Sequence, residues 1–176
     1  MHVIFLDIDG VLNSMGYVIG KSKPFMNADY LQTNGANLDP HAVSILKDGM
    51  ALFHPHAKIV LSSSWRTNNS EYELDKWRGG METHFDWPDF PIIDVTPRCM
   101  GERRHEIQNW LDNTTHDVDD FIVIDDESDA WHEIPSRHFH KTDMLSGLTY
   151  SFLFWLELRD NPAMLASHFP RLKRIV

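Results

Sequence analysis

Two short apolar runs constrain this chain more than any other feature. Val3-Ile4-Phe5-Leu6 ends in Asp7, and Phe121-Ile122-Val123-Ile124 ends in Asp125-Asp126. Runs this short and this rich in β-branched residues read as buried strands. Two more follow the pattern: Lys58-Ile59-Val60-Leu61 runs into Ser62-Ser63-Ser64, and Pro91-Ile92-Ile93 into Asp94. Arg137-His138-Phe139-His140-Lys141 is a weaker fifth. The strands are therefore expected at 3–7, 58–62, 91–94, 121–125 and 137–140. Unpaired charges at a sheet edge destabilise it, so acids tipping buried strands call for a partner.

Helical patterns lie between the strands. Asp39-Pro40 is an N-cap followed by proline at the first helical position, and Val43, Leu46, Met50 and Phe53 continue as an amphipathic stripe. Ile107, Trp110 and Leu111 mark a second helix, starting near Gly101-Glu102, and Phe152, Trp155 and Leu156 a third, starting around Leu148. Strands alternating with helices imply βαβ crossovers, hence an α/β fold with a mostly parallel sheet covered on both faces. Residues 13–37 and 66–90 lack clear periodicity and flank strand C-termini, where open α/β sheets bind ligands, so both are candidate substrate flaps. Within the second, Trp77, Phe85 and Trp87 read as flap packing rather than base stacking. The tail after Asn161-Pro162 has one apolar turn and a basic end.

The 176 residues suit one domain, 1–176. Acids outnumber bases 26 to 16, a formal charge of −10. That argues against an extensive nucleic-acid clamp, which would rely on many lysines and arginines, and leaves room for a local basic pocket. A single cysteine, Cys99, precludes an internal disulfide and points to a reducing cytoplasm. Apolar runs fall short of the roughly 20 residues that a membrane span needs.

The chemistry concentrates in Asp7-Ile8-Asp9-Gly10. The strand delivers Asp7 to the sheet edge, Asp9 follows two residues later, and Gly10 permits a sharp turn. Carboxylates this close repel unless a cation lies between them. A hard divalent ion, Mg²⁺, suits an oxygen-only site. If the first and fourth strands are parallel neighbours, Asp7, Asp9, Asp125 and Asp126 meet at one edge, with Asp129 one turn further on. Ser62, Ser63 and Ser64 can bind phosphate or cap the next helix, with Ser64 as N-cap. Arg98, Arg103 and Arg104 are all candidate cations. His54-x-His56 and His138-x-His140 lack accompanying cysteine pairs and read as surface or half-buried histidines, and Cys99 reads as a loop or packing thiol.

These motifs, in this order, resemble the haloacid dehalogenase (HAD) superfamily over roughly residues 3–142. Its phosphatases open with a strand and Asp-x-Asp-Gly, here Asp7 to Gly10. Ile59 to Trp65 matches a strand ending in Ser or Thr, Arg103 or Arg104 matches a basic residue near a helix start, and Ile122 to Asp126 matches a strand ending in an acidic pair. Leu-Ser-Ser-Ser-Trp-Arg at 61–66, Glu106-Ile107-x-x-Trp110-Leu111, and Thr142-Asp143 followed by Gly147-Leu148-Thr149 look like small HAD domains of phage, bacterial and RNA-repair proteins. The resemblance implies a Rossmann-like three-layer core, a five-stranded parallel sheet in the order 5-4-1-2-3, and a minimal cap. It implies Mg²⁺-dependent phosphomonoester hydrolysis with Asp7 as nucleophile and Asp9 as acid and base. The metal would use Asp7, Asp9 through its backbone carbonyl, and Asp126. Ser63 or Ser62 would bind phosphoryl oxygens, Arg103 would stabilise their charge, and Asp125 would orient that cation or a metal-bound water. Gly10, Ser62, Ser64 and Arg66 would line the substrate. The expected substrate is a nucleotide or a nucleic-acid terminal phosphate. Alternatives are a small-metabolite or deoxynucleotide 5′-phosphatase, and a catalytically quiet binding module.

Overall fold

A computed structural model of the chain describes residues 1–20, 38–66, 71–99, 102–127, 134 and 136–160. Along it run β1 (His2–Leu6), α1 (Met15–Gly20), α2 (Pro40–Phe53), β2 (Lys58–Leu61), α3 (Glu71–Phe85), β3 (Ile92–Val95), α4 (Arg103–Asn113), β4 (Asp120–Asp125), β5 (Phe139–Lys141) and α5 (Ser151–Asp160). The strands form one sheet in the order β3-β2-β1-β4-β5, the expected order read from its other edge. Every pairing is parallel. Leu6 stands opposite Leu61 on one side and Ile124 on the other, so three strands end at the same level.

Side-chain alternation sorts the strands into two cores. Ile4, Leu6, Ile59, Leu61, Ile122 and Ile124 face a large cluster with residues of α2, α3 and α5. Val3, Phe5, Val60 and Val123 face the other way, onto Ile107 and Trp110 of α4. The fold is thus a three-layer Rossmann-like α/β sandwich, its central strands apolar on both faces. Asp39 caps α2 by accepting the His41 N–H at 2.9 Å, and Pro40 takes the first turn. Gly49 lets α2 approach α5: a Cβ there would lie 2.2 Å from Phe152 Cε1.

The stretch 66–90 departs from the aperiodic reading, because it contains the helix α3. Leu74 and Met81 are buried, and Trp77 and Phe85 pack against the same core. This stripe is diluted by Gly79-Gly80 and by charged neighbours, which conceal the helix in the sequence. Trp87 is also buried, as flap packing requires. The expected flap at 13–37 is described only as far as Gly20, over most of which α1 runs; residues 21–37, Asp129 and the tail after Asn161-Pro162 lie outside the described residues. His138 and His140 are buried, and the His140 ring lies 5.0 Å from that of Phe152. Among the described residues no helix is long and apolar enough to cross a membrane.

Candidate active site

Asp7 is the first residue beyond β1. Its N–H still donates to Ile124 O at 3.0 Å, so the β1–β4 ladder fixes where the carboxylate leaves the sheet. Asp125 is the last residue of β4, and Asp126 follows in a bend. One carboxylate oxygen from each of Asp7, Asp125 and Asp126 lies within 4.8 Å of the other two. Parallel pairing of β1 with β4 produces this convergence.

The positive partner comes from α4. Arg103, its first residue, donates from Nη1 to Asp7 Oδ1 at 3.1 Å and to the carbonyl of Ser62. Its Nε stands 3.7 Å from Asp125 Oδ2. The other candidate cations are engaged elsewhere. Arg98 donates to the carbonyls of Ser64 and Arg66, at 3.3 and 2.5 Å, and Arg104 pairs with Glu102 at 2.6 Å.

One arginine does not neutralise this group. Burial pushes the Asp7 carboxyl up to about 6, although Arg103, the Ser63 hydroxyl and the Ile8 N–H favour its charged form. Burial, then the charge of Asp7, pushes Asp125 up to about 8 against Arg103. Burial also raises Asp126. The group is oxygen-only and short of positive charge, which fits a hard divalent cation such as Mg²⁺. The Asp126 carboxylate has room only because residue 10 is glycine, whose φ is +65° and where a Cβ would stand 2.3 Å from Asp126 Oδ2. The turn is held from behind by Thr142, whose Oγ1 donates to Gly10 O at 2.7 Å and whose N–H donates to Asp125 O at 2.9 Å.

The Asp9 side chain is not one of the three clustered carboxylates. Its Oδ2 accepts from Trp65 Nε1 at 2.7 Å and its Oδ1 from Asn13 Nδ2 at 3.2 Å. That leaves its backbone carbonyl as the atom expected to serve a metal. Ser63 is fully buried and bonded to Asp7. Ser62 is buried as well, and Ser64 is exposed. Arg66, expected to line the substrate, also has a structural task. It is buried, paired with Glu106 at 2.5 Å, and donates to Ser63 O at 2.5 Å, so it braces the serine loop against α4. Asp94 lies within β3 and accepts from Trp110 Nε1 at 2.6 Å, away from the acid cluster. Cys99 lies against the middle of α4, its N–H donating to Glu106 Oε1 at 3.2 Å and its Sγ accepting from Asn109 at 3.3 Å. Trp65, Asn13 and Thr142 are the partners that sequence reasoning did not assign a role; Trp65 and Thr142 stand within the motifs that carry the resemblance, which was the signal available.

A central β1 flanked by β2 and β4, with acids at the C-terminal ends of β1 and β4, is the arrangement of the HAD superfamily. A family model described as the HAD domain in Swiss Army Knife RNA repair proteins matches residues 3–151, and the chain belongs to that family. No curated protein and no solved structure matches the chain. Membership supports a hydrolase of the phosphatase type, generally Mg²⁺-dependent.

Proposed function

We propose that the protein is a Mg²⁺-dependent phosphomonoesterase acting through an aspartyl-phosphate on Asp7, with a nucleotide or a nucleic-acid terminal phosphate as substrate. The observation that carries this is Asp7 itself: buried, paired with Arg103 at 3.1 Å, and gathered with Asp125 and Asp126. Asp7 Oδ attacks phosphorus while the bond to the leaving oxygen breaks, and Asp9 gives that oxygen a proton. Asp9 then takes a proton from water, which displaces phosphate from Asp7. Arg103 and Ser63 hold the phosphoryl oxygens, and Asp125 keeps the guanidinium aimed. Mg²⁺ would be held by Asp7, Asp126 and the Asp9 carbonyl, and would offset the repulsion between carboxylate and phosphate. The RNA-repair proteins of the family description favour a nucleic-acid substrate.

The test is a phosphatase screen in Mg²⁺ over p-nitrophenyl phosphate, sugar phosphates, mononucleotides, and 3′- and 5′-phosphorylated oligonucleotides. Turnover falls to background in EDTA and in Asp7→Asn. Metal-independent turnover, or an active Asp7→Asn enzyme, overturns the mechanism. Activity confined to sugar phosphates or mononucleotides assigns a small-metabolite phosphatase instead.

A further inference from the structure

Beside the acid cluster, the C-terminal edge of the sheet opens into two depressions. The nearer, about 400 Å³, includes Ser64, Arg103 and Glu127 in its wall. The farther, about 480 Å³, lies between the end of β3 and the outer half of α4, against Val95, Pro97, Asn109 and Asn113. Arg66 and Arg98 line both, so the two are neighbours with the arginines at the waist between them, and a strand running from one to the other would treat them as one trough. Each half has a volume within the roughly 300–1,000 Å³ usual for small-ligand sites.

The charges along the trough are unequal in availability. Arg66 is spent on Glu106, and Arg104 on Glu102. Glu127 stands within the field of Arg103. Arg98 is exposed, and its bonds to the carbonyls of Ser64 and Arg66 fix it at the waist without cancelling its charge. Beyond it the wall is apolar at Val95 and Pro97, with amides at Asn109 and Asn113 and the Asp94 carboxylate, which is engaged by the Trp110 indole at 2.6 Å. Two buried side chains on that wall, Thr96 and Arg66, carry atoms (Oγ1 and Nε) without a hydrogen-bond partner among the described residues. A cation beside an apolar slot with polar edges suits a phosphodiester next to a heterocyclic base.

We propose that this trough is a track for an oligonucleotide end. With the terminal phosphate at Asp7, the terminal nucleoside fills the nearer depression. The first internucleotide phosphodiester meets Arg98, and the second nucleoside sits between β3 and α4. The inference rests on the phosphatase reading and narrows its substrate to strands of two or more nucleotides. One exposed arginine in place of a basic surface also agrees with the formal charge of −10. Binding then weakens only shallowly with salt, by roughly 0.7 log units in affinity per log unit of salt for one single-strand phosphate contact.

The experiment compares kcat/KM for p-nitrophenyl phosphate, mononucleotides, and dinucleotides bearing a 3′ or 5′ terminal phosphate. The wild-type enzyme prefers one dinucleotide over its mononucleotide by about tenfold or more, the size of one added base contact. Asn113→Trp, which fills the farther groove, and Arg98→Gln, which removes the phosphodiester's partner, each bring that ratio towards one; thermal melting verifies their folding. A wild-type ratio of one, or a preference that survives both folded variants, overturns the track. If p-nitrophenyl phosphate is hydrolysed and Asp7→Asn abolishes this, a missing length preference defeats the track alone. If no phosphomonoester is hydrolysed, the phosphatase reading fails and the track falls with it.

Discussion

Asp9 is held through both carboxylate oxygens, by the Trp65 indole at 2.7 Å and the Asn13 amide at 3.2 Å. Two donors fix its direction more tightly than its position in a turn could. A group that hands a proton to a leaving oxygen must be aimed at that oxygen. Trp65→Phe keeps an aromatic ring against Trp77, whose centroid lies 6.4 Å away, but loses the donor. It is expected to slow alkyl phosphate hydrolysis by about 10-fold to 100-fold, and p-nitrophenyl phosphate much less, because that leaving oxygen needs little protonation. A plot of kcat against leaving-group pKa checks this; equal slowing of both substrates would make Trp65 merely structural. A second expectation concerns pH. Asp125 is pushed up to about 8 and Asp7 to about 6, so the folded metal-free chain holds protons that the unfolded chain releases. Stability therefore rises as pH falls from about 8 to 6.5. Between about 6.5 and 6 the gain levels off, because burial pushes His140 down to about 4 and the unfolded chain takes up a proton the folded one resists; below about 6 Asp7 takes up its own proton in the folded chain and stability rises again. Melting temperatures in EDTA across this range measure the curve, and Asp125→Asn flattens its upper limb.

At the scale of elements, α4 is the part that must not shift, since its first residue reaches Asp7. It is fastened to the serine loop by the buried Arg66–Glu106 pair. Glu106→Gln leaves a buried guanidinium without its counter-charge, which costs about 3–5 kcal/mol. Urea unfolding is expected to show that loss, and kcat to fall with it as Arg103 loses its seat. The sequence made some elements far plainer than others. β1 and β4 stand out because buried central strands need apolar side chains on both faces, and their terminal acids then have few structural explanations. α3 was hidden, because its stripe of Leu74, Trp77, Met81 and Phe85 is interrupted by two glycines and charged residues. The choice among Arg98, Arg103 and Arg104 could not be made from spacing, since it depends on which way each guanidinium swings. The bracing task of Arg66 was hidden for the same reason: its pairing with Glu106 and its bond to Ser63 O depend on the folded position of α4.

For the molecule as a whole, the acid cluster is a local instability within an otherwise apolar framework. A cation that binds only the folded chain stabilises it by mass action, by about 2.7 kcal/mol at 100 times the dissociation constant. Added Mg²⁺ is expected to raise the melting temperature in a concentration-dependent way, EDTA to reverse this, and Asp126→Asn to blunt it. A melting temperature indifferent to Mg²⁺ in the wild-type protein would remove the metal from the account. β4 carries a further consequence. Neighbouring residues of an extended strand point to opposite faces, so Asp125 and Asp126 can serve one cleft only because the strand stops between them. The length of β4 is thus as much a requirement as its composition. Many conservative replacements within Phe121–Ile124 should be survivable, whereas inserting or deleting one codon there would turn an acid away from the cleft and swap the two buried faces of the strand.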